Sequence, residues 1–156
     1  MDFAEFDGLV SRTQAELSEE PPEGFAAFDA WRSSEEDIAR AEDELDVRLP
    51  SQYKEFMLRY GGGGFLFLDL LPIVAPDRRI EDLVSVNLGS LRESGFLAVA
   101  PVGTGDWWGF TLVGKECGEA VDFRFHEDGA IERQASGFLD FLVRYGLGKA
   151  EKAREA

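Results

Sequence analysis

Residues 33–64 read SSEEDIARAEDELDVRLPSQYKEFMLRYGGGG, and this stretch decides the first half of the fold. Ser33 or Ser34 offers a hydroxyl to cap a helix, with Glu36 three residues after Ser33 as in a capping box. Glu35, Glu36 and Asp37 then fall in the first turn, where carboxylates complement the helix dipole. Ile38, Ala41 and Leu45 form an inward stripe and leave Glu42, Asp43 and Glu44 mostly toward water. After Asp46, the residues Val47, Leu49 and Pro50 bring the chain round. Tyr53, Phe56, Met57 and Tyr60 repeat at helical spacing until Gly61, which suits a left-handed C-cap. The glycine run is not read as a phosphate cradle. No Lys-Ser or Lys-Thr follows it, and the chain passes from helix to strand, the reverse of a P-loop.

Upstream, Phe3, Phe6, Val10, Thr13 and Leu17 predict an amphipathic helix that Glu19, Glu20, Pro21, Pro22, Glu23 and Gly24 stop. Phe25, Phe28 and Trp31 follow at spacing three, as expected of an apolar turn or short helix packing back as core support. Downstream the vocabulary is that of strands: Phe65–Leu71, Phe96–Val102, Trp107–Val113, Ala120–Phe125 and Ala130–Gln134. The segment Ile80–Leu91 fits both a helix and an irregular excursion. Turns at 103–106, 114–118 and 127–129 are short enough for an antiparallel meander. Ser136 is the expected N-cap of a last helix whose apolar face carries Phe138, Leu139, Phe141, Leu142 and Tyr145, ending at Gly146. The expectation is one α+β domain: N-terminal helices, a mostly antiparallel sheet of about five to six strands, and a closing C-terminal helix packed on the sheet. Residues 1–33 form an N-terminal helical extension, 34–148 the main domain and 149–156 a charged tail.

Composition bounds the function. At 156 residues, 44% hydrophobic and 30% charged with thirteen Phe, the chain is a packed, aromatic-rich globule. The formal net charge of −15 repels nucleic-acid phosphates and anionic lipid, so no nucleic-acid or membrane partner is expected. Residues 1–50 hold fifteen acids against four bases, and the remainder sixteen against twelve, so an electrostatic function belongs to the first third. The bland alternative is that acidic helix faces only keep the protein soluble. Cys117 stands alone and cannot form an internal disulfide, and neither a signal peptide nor a membrane-length apolar run is evident, which predicts a cytoplasmic protein.

Catalytic groups are few. His126 is the single histidine, so a multi-histidine metal site within one chain is ruled out, and any Cys-His or Ser-His system must use this residue. Cys117 lies nine residues earlier, in a turn that a hairpin could bring near it. Asp106, Asp122, Glu127 and Asp128 lack the alternating-oxygen spacing of a calcium loop, and Glu127-Asp128-Gly129 reads as a hairpin turn. No cofactor, metal or catalytic residue is expected. Trp107 and Trp108 are adjacent and must point to opposite faces of a strand. Either both are core, or one is exposed as an interface anchor beside Asp106.

The ordered set of motifs resembles the SUKH (SMI1/KNR4-like) superfamily. The capped acidic helix from Ser34, with Ile38, Glu42, Leu45, Leu49-Pro50, Tyr53, Phe56 and Gly61-Gly62, is similar to its N-terminal signature. Gly103-Thr104-Gly105-Asp106 is similar to its turn between strands, and Phe138-Leu139-Asp140-Phe141-Leu142 to its closing helix. The sequence departs from the pattern at Tyr60, where Asn before two glycines is common. The resemblance implies strands backed by helices and a non-enzymatic role, often that of a bacterial immunity protein, an antitoxin that binds a cognate toxin, frequently a nuclease. Other members are regulatory or scaffold binders with an endogenous partner, and that is the second reading here. For a basic toxin cleft, the complementary surface is Glu35, Glu36, Asp37, Glu42, Asp43, Glu44 and Asp46, with Asp106, Trp107 and Trp108 as the second contact candidate.

Overall fold

A computed structural model describes residues 1–19 and 28–148. The expected stop over Glu20–Gly24, the contribution of Phe25 and the charged tail 149–156 lie outside the described residues. In chain order the elements are α1 (Phe3–Glu19), α2 (Glu35–Leu45), α3 (Ser51–Arg59), β1 (Gly63–Phe65), β2 (Leu68–Leu70), α4 (Leu83–Asn87), α5 (Ser90–Glu93), β3 (Phe96–Pro101), β4 (Trp107–Val113), β5 (Glu116–Cys117), β6 (Val121–Arg124), β7 (Ile131–Ala135) and α6 (Phe138–Phe141). The last helix continues into a π-helical turn, Leu142–Leu147. The fold is α+β, with helices first, antiparallel sheets between and a helix closing the chain.

Capping settles where α2 begins. Ser34 Oγ accepts from the Asp37 amide at 3.1 Å, and Asp37 Oδ2 accepts from the Ser34 amide at 3.2 Å. The capping box is therefore Ser34 with Asp37 rather than Ser33 with Glu36. Ser33 is buried instead, and its amide donates to Met57 O of α3. Ile38, Ala41 and Leu45 are the buried face of α2, as their spacing predicts. Gly61 follows α3 at φ +93, the left-handed conformation expected after a helix end.

The aromatic core joins the first helix to the rest. Phe6 of α1 is fully buried and meets the rings of Phe56, Tyr60 and Phe65. Burying side chains of this size stabilises the fold by about 1.5–3 kcal/mol each. At the helix surface Arg59 reaches Asp7 at 2.7 Å, and the Tyr60 hydroxyl donates to the same carboxylate. Tyr60, the departure from the family pattern, thus ties α3 to α1. Further in, Tyr53 packs edge-on against Phe110 of β4 and Phe138 of α6, so helices and sheet share one core.

Two sheets follow. The expected single strand over Phe65–Leu71 is a tight hairpin, β1 and β2, reversed at Leu66 with φ 50. Residues 28–31 run beside it, interrupted at Ala30 with φ 55, with isolated bridges from Phe28 to Phe65 and Trp31 to Gly62 in place of the expected turn or short helix. Its sequence spacing of three was misleading, because these residues satisfy their backbone on the glycine run: Trp31 N donates to Gly62 O and Gly62 N to Trp31 O. The larger sheet runs β3-β4-β6-β7, antiparallel throughout, and β5 pairs with the far end of β4. β5 takes up part of the expected 114–118 turn: only Gly114-Lys115 reverses the chain, and Cys117 pairs with Leu112. At Gly109 a Cβ would stand 2.0 Å from Leu97 O, so close pairing of β3 and β4 requires glycine there.

The ambiguous segment 80–91 is two short helices, α4 and α5, held to β3 by the buried Asn87. Its side-chain amide donates to Ala98 O at 2.8 Å and its oxygen accepts from Ala98 N at 2.7 Å. The last helix is capped differently from expectation. Its N-cap is Gly137, and Gln52 of α3 reaches across to accept from Leu139 N at 2.8 Å, while Ser136 bonds Asp140.

Candidate functional site

Helix α2 and its C-cap residue Asp46 carry seven of the candidate residues, and the structure sorts them by what each carboxylate already does. Asp37 serves the capping box, and those hydrogen bonds from Ser34 hold its pKa below the ordinary carboxylate value. Glu42 turns inward to accept from Leu49 N at 2.9 Å and lies 3.6 Å from Lys54. Asp46 ends the helix in a left-handed conformation and pairs with Lys115 at 3.0 Å. Glu35, Glu36, Asp43 and Glu44 remain exposed, and no ion pair to them is formed among the described residues. Glu36 and Asp43, seven residues apart, stand on the same outward ridge opposite the buried stripe.

Grooves run along both sides of this helix. One, of about 460 Å³, is polar and includes Glu42, Asp43, Asp46 and the cations Arg48, Lys54 and Lys115. The other, of about 360 Å³, lies between α2 and the 73–85 segment and includes Glu44, Val74 and Ser85. α2 is thus a raised, rigidly capped ridge rather than part of a flat surface.

The second nominated cluster divides. Asp106 is spent within the fold: its carboxylate accepts from the Thr104 hydroxyl at 2.6 Å, His126 N at 2.8 Å and His126 Nδ1 at 2.7 Å. Those hydrogen bonds, from Thr104 first and then His126, hold its pKa down to about 2. Trp108 faces the closing helix and meets Phe123, Phe141 and Tyr145. Trp107 points to the other side of the sheet, as adjacency in a strand requires, and lines a cleft of about 390 Å³ with Trp31, Asp69, Pro72, Arg79 and Glu81.

The sequence marks Trp31 only as core support and does not single out Asp69 or Glu81. The available signal was the glycine run. A Cβ at Gly61 would stand 2.2 Å from the Trp31 carbonyl carbon, and one at Gly63 would stand 2.9 Å from the Trp31 ring. The bare backbone of the run is what seats Trp31. Burial, and then the charge of Asp29, push the Asp69 carboxyl above its ordinary value.

Groups considered for catalysis are dispersed. Cys117 pairs with the far end of β4, whereas His126 is bound to Asp106 at its start, a separation of roughly 20 Å along the strand. Burial pushes the Cys117 thiol up to about 12, which leaves it protonated. Asp122 is buried and holds Arg133 and Thr111, and Asp128 accepts from Ala130 N in its turn. Among the described residues no group of three or more His, Cys, Asp or Glu side chains is placed to hold a metal ion, and no helix is long and apolar enough to cross a membrane.

No curated protein matches the chain. A family model does: SUKH_6, described as SMI1-KNR4 cell-wall, matches residues 35–142. The match starts at the first residue of α2, takes in α3 and both sheets, and ends where α6 passes into its π-helical turn. Spanning most of the sequence, it agrees with the order of acidic helix, glycine run, strands and closing helix, and the chain belongs to the SUKH family.

Proposed function

We propose that this protein is an immunity protein: it binds a cognate bacterial toxin domain in the cytoplasm, in one-to-one complex, and masks the toxin's basic active cleft or an adjoining exosite. The observation that carries this reading is the set Glu35, Glu36, Asp43 and Glu44, four exposed carboxylates on a helix whose other acids are already paired. Unpaired surface charge of one sign repels itself and contributes little to stability, but it accelerates association with a surface of opposite sign. A toxin that handles nucleic acid must present such a surface to bind phosphates. The rigid cap of α2 means that little ordering is required on binding.

Co-expression with the toxin domain encoded at the same locus tests this. The expected outcome is survival of the host and a stable one-to-one complex on size-exclusion chromatography. Continued toxicity with no complex would remove the immunity reading. The second reading, a regulatory or scaffold module with an endogenous partner, is favoured by the family's cell-wall description. It uses the same ridge and predicts a complex with a host protein but no protection from any toxin.

A further inference from the structure

The Trp31–Trp107 cleft sits where the two sheets meet, since Leu71 N, just beyond β2, donates to Val99 O of β3. Its lining is largely apolar, with both tryptophans, Pro72 and Ile80 among it, and its charged residues are Asp69, Glu81 and Arg79. Arg79 is turned to its own loop, paired with Asp77 at 3.3 Å and 90% exposed. The balance inside is therefore negative.

A third carboxylate stands outside the lining, near enough for its charge to act on Asp69. Gly64 pairs with Asp69 across the hairpin, and Asp29 lies on the other side of Gly64, its amide donating to Gly64 O and its side chain accepting from Gly64 N. Asp29 and Asp69 thus flank Gly64 from neighbouring segments.

We propose that this cleft receives an arginine side chain presented by the partner protein. The inference rests on the protein-binding reading above and names an anchor for it. A guanidinium stacks on aromatic faces and offers planar donors to carboxylates, which matches both kinds of wall. An anion would meet the Asp69 and Glu81 carboxylates, with Asp29 close behind Asp69. An apolar group would take the exposed Asp69 and Glu81 carboxylates out of water without giving either a partner. A cation relieves both penalties. The cleft is also preformed, because the glycine run fixes Trp31 through its backbone.

The test uses the full chain with its tryptophan indoles ¹⁵N-labelled, titrated with N-acetyl-arginine methylamide and with its uncharged citrulline counterpart. Saturable shifts are expected at the Trp31 and Trp107 indoles but not at Trp108, with a dissociation constant on the order of millimolar, as one anchor side chain supplies. The variant Asp69→Asn/Glu81→Gln, shown to be folded by its amide spectrum, should weaken arginine binding at least about fivefold, the size of effect that loss of charge-assisted hydrogen bonds produces. Absence of saturation, an equal response to citrulline, or unchanged affinity in the double variant overturns the assignment. The two readings fail separately. Arginine binding without a toxin complex overturns the immunity reading and leaves the cleft assignment standing. A toxin complex whose affinity is unchanged by the double variant overturns the cleft assignment alone.

Discussion

Helix α2 and the β3–β4 turn both place carboxylates at the surface of the family-matched region, yet they use them in opposite ways. In the turn, Asp106 has three donors within hydrogen-bond distance and works as a latch between two loops. On α2, Asp37, Glu42 and Asp46 are similarly spent on the cap, the α2–α3 connection and Lys115, while four neighbours stay free. Carboxylate content alone therefore does not mark an interface. What marks it is charge that the fold has left without an internal partner.

The largest expected effect breaks the comparison at α2. Reversing the free charges, Glu36→Lys/Asp43→Lys/Glu44→Lys, should slow association with the toxin domain about 10–100-fold at low ionic strength and flatten its salt dependence, read by stopped-flow fluorescence. Asp106→Asn in the same assay should leave the association rate unchanged. If it slows binding as much as the reversal, the distinction between spent and free carboxylates fails.

A smaller effect is expected from the cap. Ser34→Ala removes one half of the capping box and should cost about 1 kcal/mol in urea unfolding, within the usual range for such caps. Binding kinetics should be preserved as long as α2 stays folded.

Asp106 sharpens the comparison through pH. Its folded pKa is lowered from the ordinary 3.8 to about 2, so its stabilisation is in place above pH 3.8 and is lost as pH falls through about 2. Asp106→Asn should flatten the stability profile across that window and lower stability at neutral pH. An unchanged acid profile would mean that the latch is not formed in solution.

The smallest effect tests a third way for a polar group to stand. The Tyr53 hydroxyl is buried with no hydrogen-bond partner among the described residues, and burial pushes its pKa upward. Tyr53→Phe should change stability by less than about 1 kcal/mol or raise it, because no bond is lost and a desolvated group is removed. A loss above about 2 kcal/mol in calorimetry would reveal a partner for the hydroxyl.

The local elements were legible from sequence where one short-range force dominates. Apolar spacing and capping chemistry act within a few residues, so Ile38, Ala41 and Leu45 disclosed the buried face of α2, and a run of aromatic and β-branched residues disclosed β4 over its full length. Cases where two local solutions compete were misread. Ser33 and Ser34 differ only in which is drawn into the core by Met57, the strand expected over Phe65–Leu71 folds back at Leu66, and Asp29 and Trp31 donate their amides to Gly64 and Gly62, more than thirty positions away.

The sequence by itself determined an acidic α+β chain of the SUKH family, with its charge excess in the first third, because composition, periodicity and motif order are properties of the chain. Tertiary structure alone decided which carboxylates are free and that Trp31 and Trp107 share a cleft. Those outcomes depend on partners distant along the chain, such as Lys54 for Glu42 and His126 for Asp106, and on a glycine backbone that admits an indole only once the sheets have met.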